Sequence, residues 1–82
     1  MLIYVKEDGD IFNLDNIVRI YPYDEYVKYV LPTGNYGILI ECKSDEQAKN
    51  VVSYIYHRMT LGNGNVVLDL DDFEEGENGI KD

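Results

Sequence analysis

The sequence predicts an α+β fold: a curled antiparallel β-sheet of five to six strands packed on one α-helix at about residues 45–61, followed by a final short strand. Three observations predict it. Ala48, Val51, Val52, Ile55 and Met59 recur at helical spacing, so the helix has one apolar stripe that must be covered. The residues ahead of the helix fall into short runs rich in Ile, Val and Tyr, separated by turn residues. A last alternating run, Val66 to Leu70, follows the helix.

Ser44 and Gln47 form a capping box at the helix start, and Gly62 supplies the left-handed residue that closes it. Asp45 and Glu46 lie at the positive end of the helix dipole, and His57 and Arg58 at the negative end. Burying Val51, Val52, Ile55 and Met59 contributes roughly 1.5–3 kcal/mol each.

Taken in order, Leu2 to Lys6 suits a strand, Glu7-Asp8-Gly9-Asp10 a turn, and Ile11 to Leu14 a returning strand. Asn13, Asp15 and Asn16 favour a second bend. Ile17 to Tyr21 is the next strand, ended by Pro22, which has no amide to donate. The chain turns at Tyr23-Asp24-Glu25, runs back from Tyr26 to Leu31, and turns again at Pro32-Thr33-Gly34-Asn35. Tyr36 to Lys43 reads as the central strand, with Ile38, Ile40 and Cys42 on the core face and Leu39 and Glu41 opposite. The final strand, Val66 to Leu70, reads as an edge. Residues 1–72 make a single domain, and residues 73–82 an acidic tail of the kind that frays. Apolar residues on both sheet faces exceed what one helix can cover, so a leftover patch favours a homodimer.

The chain carries 16 acidic and 7 basic residues, a formal charge of −9. That argues against nonspecific binding to nucleic acid or anionic membranes through phosphate contacts and fits a partner with a basic surface. One cysteine makes no internal disulfide, the N-terminus lacks a signal-peptide pattern, and no apolar run approaches a membrane span. A cytoplasmic protein with no membrane partner is the expectation.

The run Asp8-Gly9-Asp10-Ile11-Phe12-Asn13-Leu14-Asp15-Asn16-Ile17, followed by strands and then Ser44-Asp45-Glu46-Gln47-Ala48, resembles small acidic proteins of Gram-positive bacteria and their phages. The shared residues are turn and cap residues. The resemblance implies a reduced pleckstrin-homology-like barrel and, through the phage setting, a counter-defence role. Val66 to Leu70 and the acidic tail depart from it.

Signatures of chemistry are absent. No paired-cysteine or His-Glu-x-x-His motif occurs, and Gly62-x-Gly64 follows a helix instead of opening one. Asp69, Asp71 and Asp72 start like a calcium loop, but Phe73 and Glu74 fall where a ligand and a glycine are required. Cys42 lies among apolar residues with no histidine near in sequence to activate it, and His57 suits the helix dipole. The reading is therefore not an enzyme, with no cofactor and no metal.

Tyrosine supplies the alternative, at eight residues with no tryptophan. Tyr21, Tyr23, Tyr26, Tyr29 and Tyr36 cluster around the strand ends, interleaved with Asp24 and Glu25. Tyrosine offers rigid, amphipathic contact area, and carboxylates suit a basic groove of the kind that holds nucleic acid. The sequence reading is a non-catalytic phage or mobile-element protein, an anti-CRISPR-like inhibitor covering a basic functional surface of a host protein. Its partner-binding residues are Tyr21, Tyr23, Asp24, Glu25, Tyr26, Tyr36, Asp69, Asp71, Asp72, Glu74 and Glu75. The alternative is a homo-oligomeric binder that sequesters a nucleotide signal through Lys28, Lys43, Lys49 or Arg58.

Overall fold

The computed structural model describes residues 1–62 and 64–73. Six strands and one helix are present: β1 (Leu2–Val5), β2 (Asp10–Asn13), β3 (Arg19–Tyr23), β4 (Tyr26–Val30), β5 (Tyr36–Glu41), α1 (Asp45–Leu61) and β6 (Val66–Leu68). Short 3-10 turns at Leu14–Asn16 and Leu70–Phe73 follow β2 and β6. The fold is α+β, as the sequence predicts, and the helix bounds agree with expectation. The sheet differs.

Instead of one curled antiparallel sheet there are two sheets of three strands, in the orders β2-β1-β6 and β3-β4-β5. β6 is the edge strand expected, but it pairs parallel with β1, opposing Ile3 to Val66 and Val5 to Leu68. A crossover through α1 brings the chain back to its own first strand, which permits parallel pairing. The barrel implied by the resemblance does not close.

The second sheet is a meander in which β4, not β5, is central. β3 extends through Pro22 to Tyr23, past the expected stop. An edge strand tolerates a residue with no amide, and β3 is an edge. In β5 the pairing jumps from Val27↔Ile40 to Lys28↔Ile38, leaving Leu39 as an extra residue. This bulge breaks the period-two alternation, so Leu39 and Ile40 both turn into the core at 1% exposure while Ile38 is half exposed. The expected core face of Ile38, Ile40 and Cys42 therefore holds only for the last two. Ahead of the bulge, Gly37 opposes Tyr29 and leaves room for its ring. A Cβ at Gly37 would lie 2.6 Å from the Tyr29 hydroxyl and 2.8 Å from Cζ.

The core lies between the two sheets and the helix. It joins Ile3 and Val5 of β1, Val27 of β4, Leu39 and Ile40 of β5, Val66 and Leu68 of β6, and Ala48, Val51 and Ile55 of α1. Phe12 from one sheet tilts against Tyr29 from the other, ring centroids 5.4 Å apart. Met59, expected in the helix stripe, is half exposed. At its level the helix has passed beyond the buried stripe, whose last buried residue is Ile55.

Both helix ends are closed as the sequence requires. Ser44 Oγ accepts from the Gln47 amide at 3.0 Å. Gln47 is buried, and its Oε1 accepts from the Lys43 amide at 2.7 Å. The Gln47 side-chain amide donates to the Phe73 carbonyl at 2.9 Å, so the cap residue also ties down the chain after β6. At the other end Gly62 takes φ 70°, and its amide reaches the Arg58 and Met59 carbonyls. The Arg58 guanidinium donates to the Tyr54 hydroxyl and the Asn65 carbonyl.

Two stability measurements check this packing. Ile55→Ala should cost about 2–5 kcal/mol in denaturant unfolding, since Ile55 is 2% exposed and its loss opens a cavity. A cost below about 0.5 kcal/mol, typical of surface sites, would contradict its placement. Gly37→Ala should cost about 1–3 kcal/mol by crowding Tyr29, and Tyr29→Leu should relieve part of that cost.

Candidate functional site

The pairings fix where charge falls. β1 and β6 run toward the amino-terminal end of α1, because Lys6 N donates to the Leu68 carbonyl and Gln47 bonds Phe73. The β3–β4 turn lies at the same end, since the Cys42 amide donates to the Glu25 carbonyl at 2.7 Å just before the helix begins. Glu7, Asp8, Asp10, Asp24, Glu25, Glu41, Asp45, Glu46, Asp69, Asp71 and Asp72 therefore gather toward one end of the molecule. Among the described acids only Asp15 lies at the other end, beside the N-terminal amine at 3.7 Å.

Within this acidic end the predicted residues differ in role. Asp24 and Glu25 are exposed at the tip of the β3–β4 hairpin. Asp24 takes φ 53°, a left-handed conformation that Asp tolerates better than most residues. Asp71 and Asp72 are exposed in the 3-10 turn. Asp69 instead builds structure: Oδ1 accepts from the Asp71 amide at 3.0 Å and Oδ2 from Lys6 Nζ at 3.1 Å. Those two donors, the Asp71 amide first, hold its carboxyl below the usual range, and the same contact raises the Lys6 ammonium. Glu7 is likewise occupied, accepting from the Leu70 amide. Glu74 and Glu75 lie outside the described residues.

The tyrosines fall on a neighbouring surface. In the β3-β4-β5 sheet, Tyr21, Tyr23, Tyr26 and Tyr36 share the outer face with Arg19, Lys28, Val30, Ile38 and Glu41. Tyr29 points inward, away from the cluster in which the sequence grouped it. Lys28 Nζ lies 4.7 Å from the Tyr23 ring centroid and 5.6 Å from that of Tyr36; the Arg19 guanidinium lies 4.2 Å from Tyr21. Such contacts are worth about 0.5–1 kcal/mol when exposed. The sequence reading interleaved these tyrosines with carboxylates, assigned Lys28 only to the nucleotide-binding alternative and left out Arg19. The missed signal was period-two alternation: Arg19, Tyr21 and Tyr23 share a parity, as do Tyr26, Lys28 and Val30.

An open groove of about 710 Å³ runs between β3 and α1 at the other end, lined by Ile17, Val18, Ile20, Val52, Ile55 and Met59 among others. Its size suits a small ligand. None of Lys28, Lys43, Lys49 and Arg58, the cations required by the nucleotide-binding alternative, lines it. Cys42 is buried and His57 exposed on the helix. Among the described residues no group of three His, Cys, Asp or Glu side chains is placed to hold a metal, and no helix is long and apolar enough to cross a membrane.

Comparison with protein families, curated proteins and solved structures finds no match.

The Asp69 assignment has a pH consequence. A carboxyl held below its unfolded value stabilises the fold above that value, and the contribution is lost as pH falls through the folded pKa. The Lys6 contribution is present below the usual lysine range and lost as pH rises through the raised value. In an NMR titration, Asp69 should therefore titrate below ordinary aspartates. Lys6→Met should move it part of the way back, because the Asp71 amide remains. A return to the ordinary value would show that the turn bond is not formed.

Proposed function

We propose that the protein is a non-catalytic interaction protein that covers a basic functional surface of a partner protein. The observation that carries this is the segregation of charge. All described carboxylates but one lie toward the amino-terminal end of α1, and Asp24, Glu25, Asp71 and Asp72 are exposed there. A concentrated field of one sign accelerates association with a surface of the other sign. Tyr23, the residue before the tip, is 56% exposed and gives the acidic surface an aromatic anchor. The resemblance to phage proteins names the first partner class to try, nucleic-acid-binding defence proteins, whose basic grooves match this charge. The nucleotide-binding alternative loses ground because its cations are scattered.

The test compares baits in a lysate of a Gram-positive host. The intact protein should retain a basic protein that salt or added duplex DNA releases. A variant carrying Asp24→Asn, Glu25→Gln, Asp71→Asn and Asp72→Asn should not retain it, while melting like the parent. Asn keeps the left-handed turn at position 24. With the purified partner, these neutral substitutions should slow association, and Tyr23→Ala should speed dissociation. Equal retention by both baits would overturn the assignment.

A further inference from the structure

The net charge conceals a local exception. Arg19 and Lys28 stand on the outer face of the β3-β4-β5 sheet, and neither forms an ion pair among the described residues. Tyrosine rings are their neighbours instead. Tyr23 and Tyr36 are 56% and 69% exposed, and Lys28 lies over one face of each ring.

These features select the occupant. A basic surface is disfavoured, because Lys28 stands at the middle of the face. A second copy docked face to face about a central two-fold axis is disfavoured for the same reason, since the axis would bring Lys28 against itself. What fits is an anion with flat faces. Bases stack on aromatic side chains regardless of sequence, and cations between the rings meet the phosphates. We propose that this face is a platform for single-stranded nucleic acid, with Tyr23 and Tyr36 stacking bases and Lys28 and Arg19 meeting phosphates.

The acidic end limits the platform without abolishing it. Asp24, Glu25 and Glu41 bound the face at the hairpin tip, beside Tyr23, so the strand runs from Tyr23 past Lys28 toward Arg19 and Tyr36. Base stacking, not charge, therefore supplies most of the affinity, and the salt dependence is shallow. This separates the platform from a basic protein, whose affinity for single strands falls steeply with salt. The proposed function shares Tyr23 with this platform and is separated from it by its dependence on the carboxylates.

Fluorescence anisotropy of a labelled short oligothymidylate, titrated with the intact protein, tests it. Saturable binding is expected, with a slope of log affinity against log salt of about −1.4, the value for two phosphate contacts on a single strand. Lys28→Gln should bring that slope to about −0.7. Tyr23→Ala and Tyr36→Ala should each weaken binding at least about fivefold and leave the slope alone. Both rings are largely solvent-exposed, so these variants should melt like the parent. Asp24→Asn, Glu25→Gln, Asp71→Asn and Asp72→Asn together should not weaken oligonucleotide binding, although they should abolish the partner retention proposed above. No binding overturns the inference, as does binding that survives both tyrosine changes. Displacement of the oligonucleotide by a short polyglutamate at equal concentration would assign the face to acidic peptides and likewise overturn it.

Discussion

The buried side chain of Gln47 is the contact on which the arrangement depends. Its amide hydrogen belongs to the helix cap, its Oε1 holds the end of the β5 connection at Lys43, and its Nε2 holds the chain after β6 at Phe73. The helix cap and the end of the β5 connection thus meet the chain after β6, distant in sequence, at one residue that is 2% exposed. A buried amide left without partners costs about 1–3 kcal/mol per group, so each bond enforces the others. With this end of α1 pinned, the β5 connection and the chain leaving β6 must arrive together. Phe73 then packs edge-on against Tyr54, with centroids 5.4 Å apart.

That convergence also decides the electrostatics. Acidic residues favour helix amino termini and hairpin tips for local reasons: dipole complementation, and side chains that bond their own turns. Each group of carboxylates obeys its own local rule. The Gln47 junction joins the helix start to the chain after β6, the Cys42–Glu25 bond brings the β3–β4 tip to the same end, and their charges add. Part of the repulsion is relieved by internal bonds, as at Asp69 with Lys6 and Glu7 with the Leu70 amide. Asp24, Glu25, Asp71 and Asp72 keep their carboxylates exposed. The tyrosine face is ordered by a different interaction, in which cations rest on rings instead of pairing with carboxylates. One small molecule thereby carries two surfaces of different chemical character side by side.

Much of the fold was legible in the sequence because it depends on neighbours along the chain. The helix, its Ser44 and Gly62 caps and the turns at Gly9, Asp24 and Gly34 follow from side chains bonding adjacent backbone or from φ preferences. What remained hidden depends on partners distant in sequence. Pro22 looked like a stop because its lack of an amide matters in a central strand; β3 proved to be an edge. Ile38 looked buried because alternation was assumed unbroken, and only pairing with Val27 and Lys28 reveals the bulge that turns Leu39 inward. The parallel β1–β6 pair has no local signature, since nothing in Val66 to Leu68 states which strand it will join.

The same division holds for the candidate surface. Composition by itself determined that the chain is acidic and tyrosine-rich, because charge and side-chain type do not depend on the fold. Where those groups stand was decided by tertiary structure. Strand parity sent Tyr29 to the core and set Lys28 between Tyr23 and Tyr36, and the Gln47 junction together with the Cys42–Glu25 bond collected the carboxylates at one end. Net charge is a sum over the chain, whereas recognition responds to the field at one face. That field is set by which strands lie side by side.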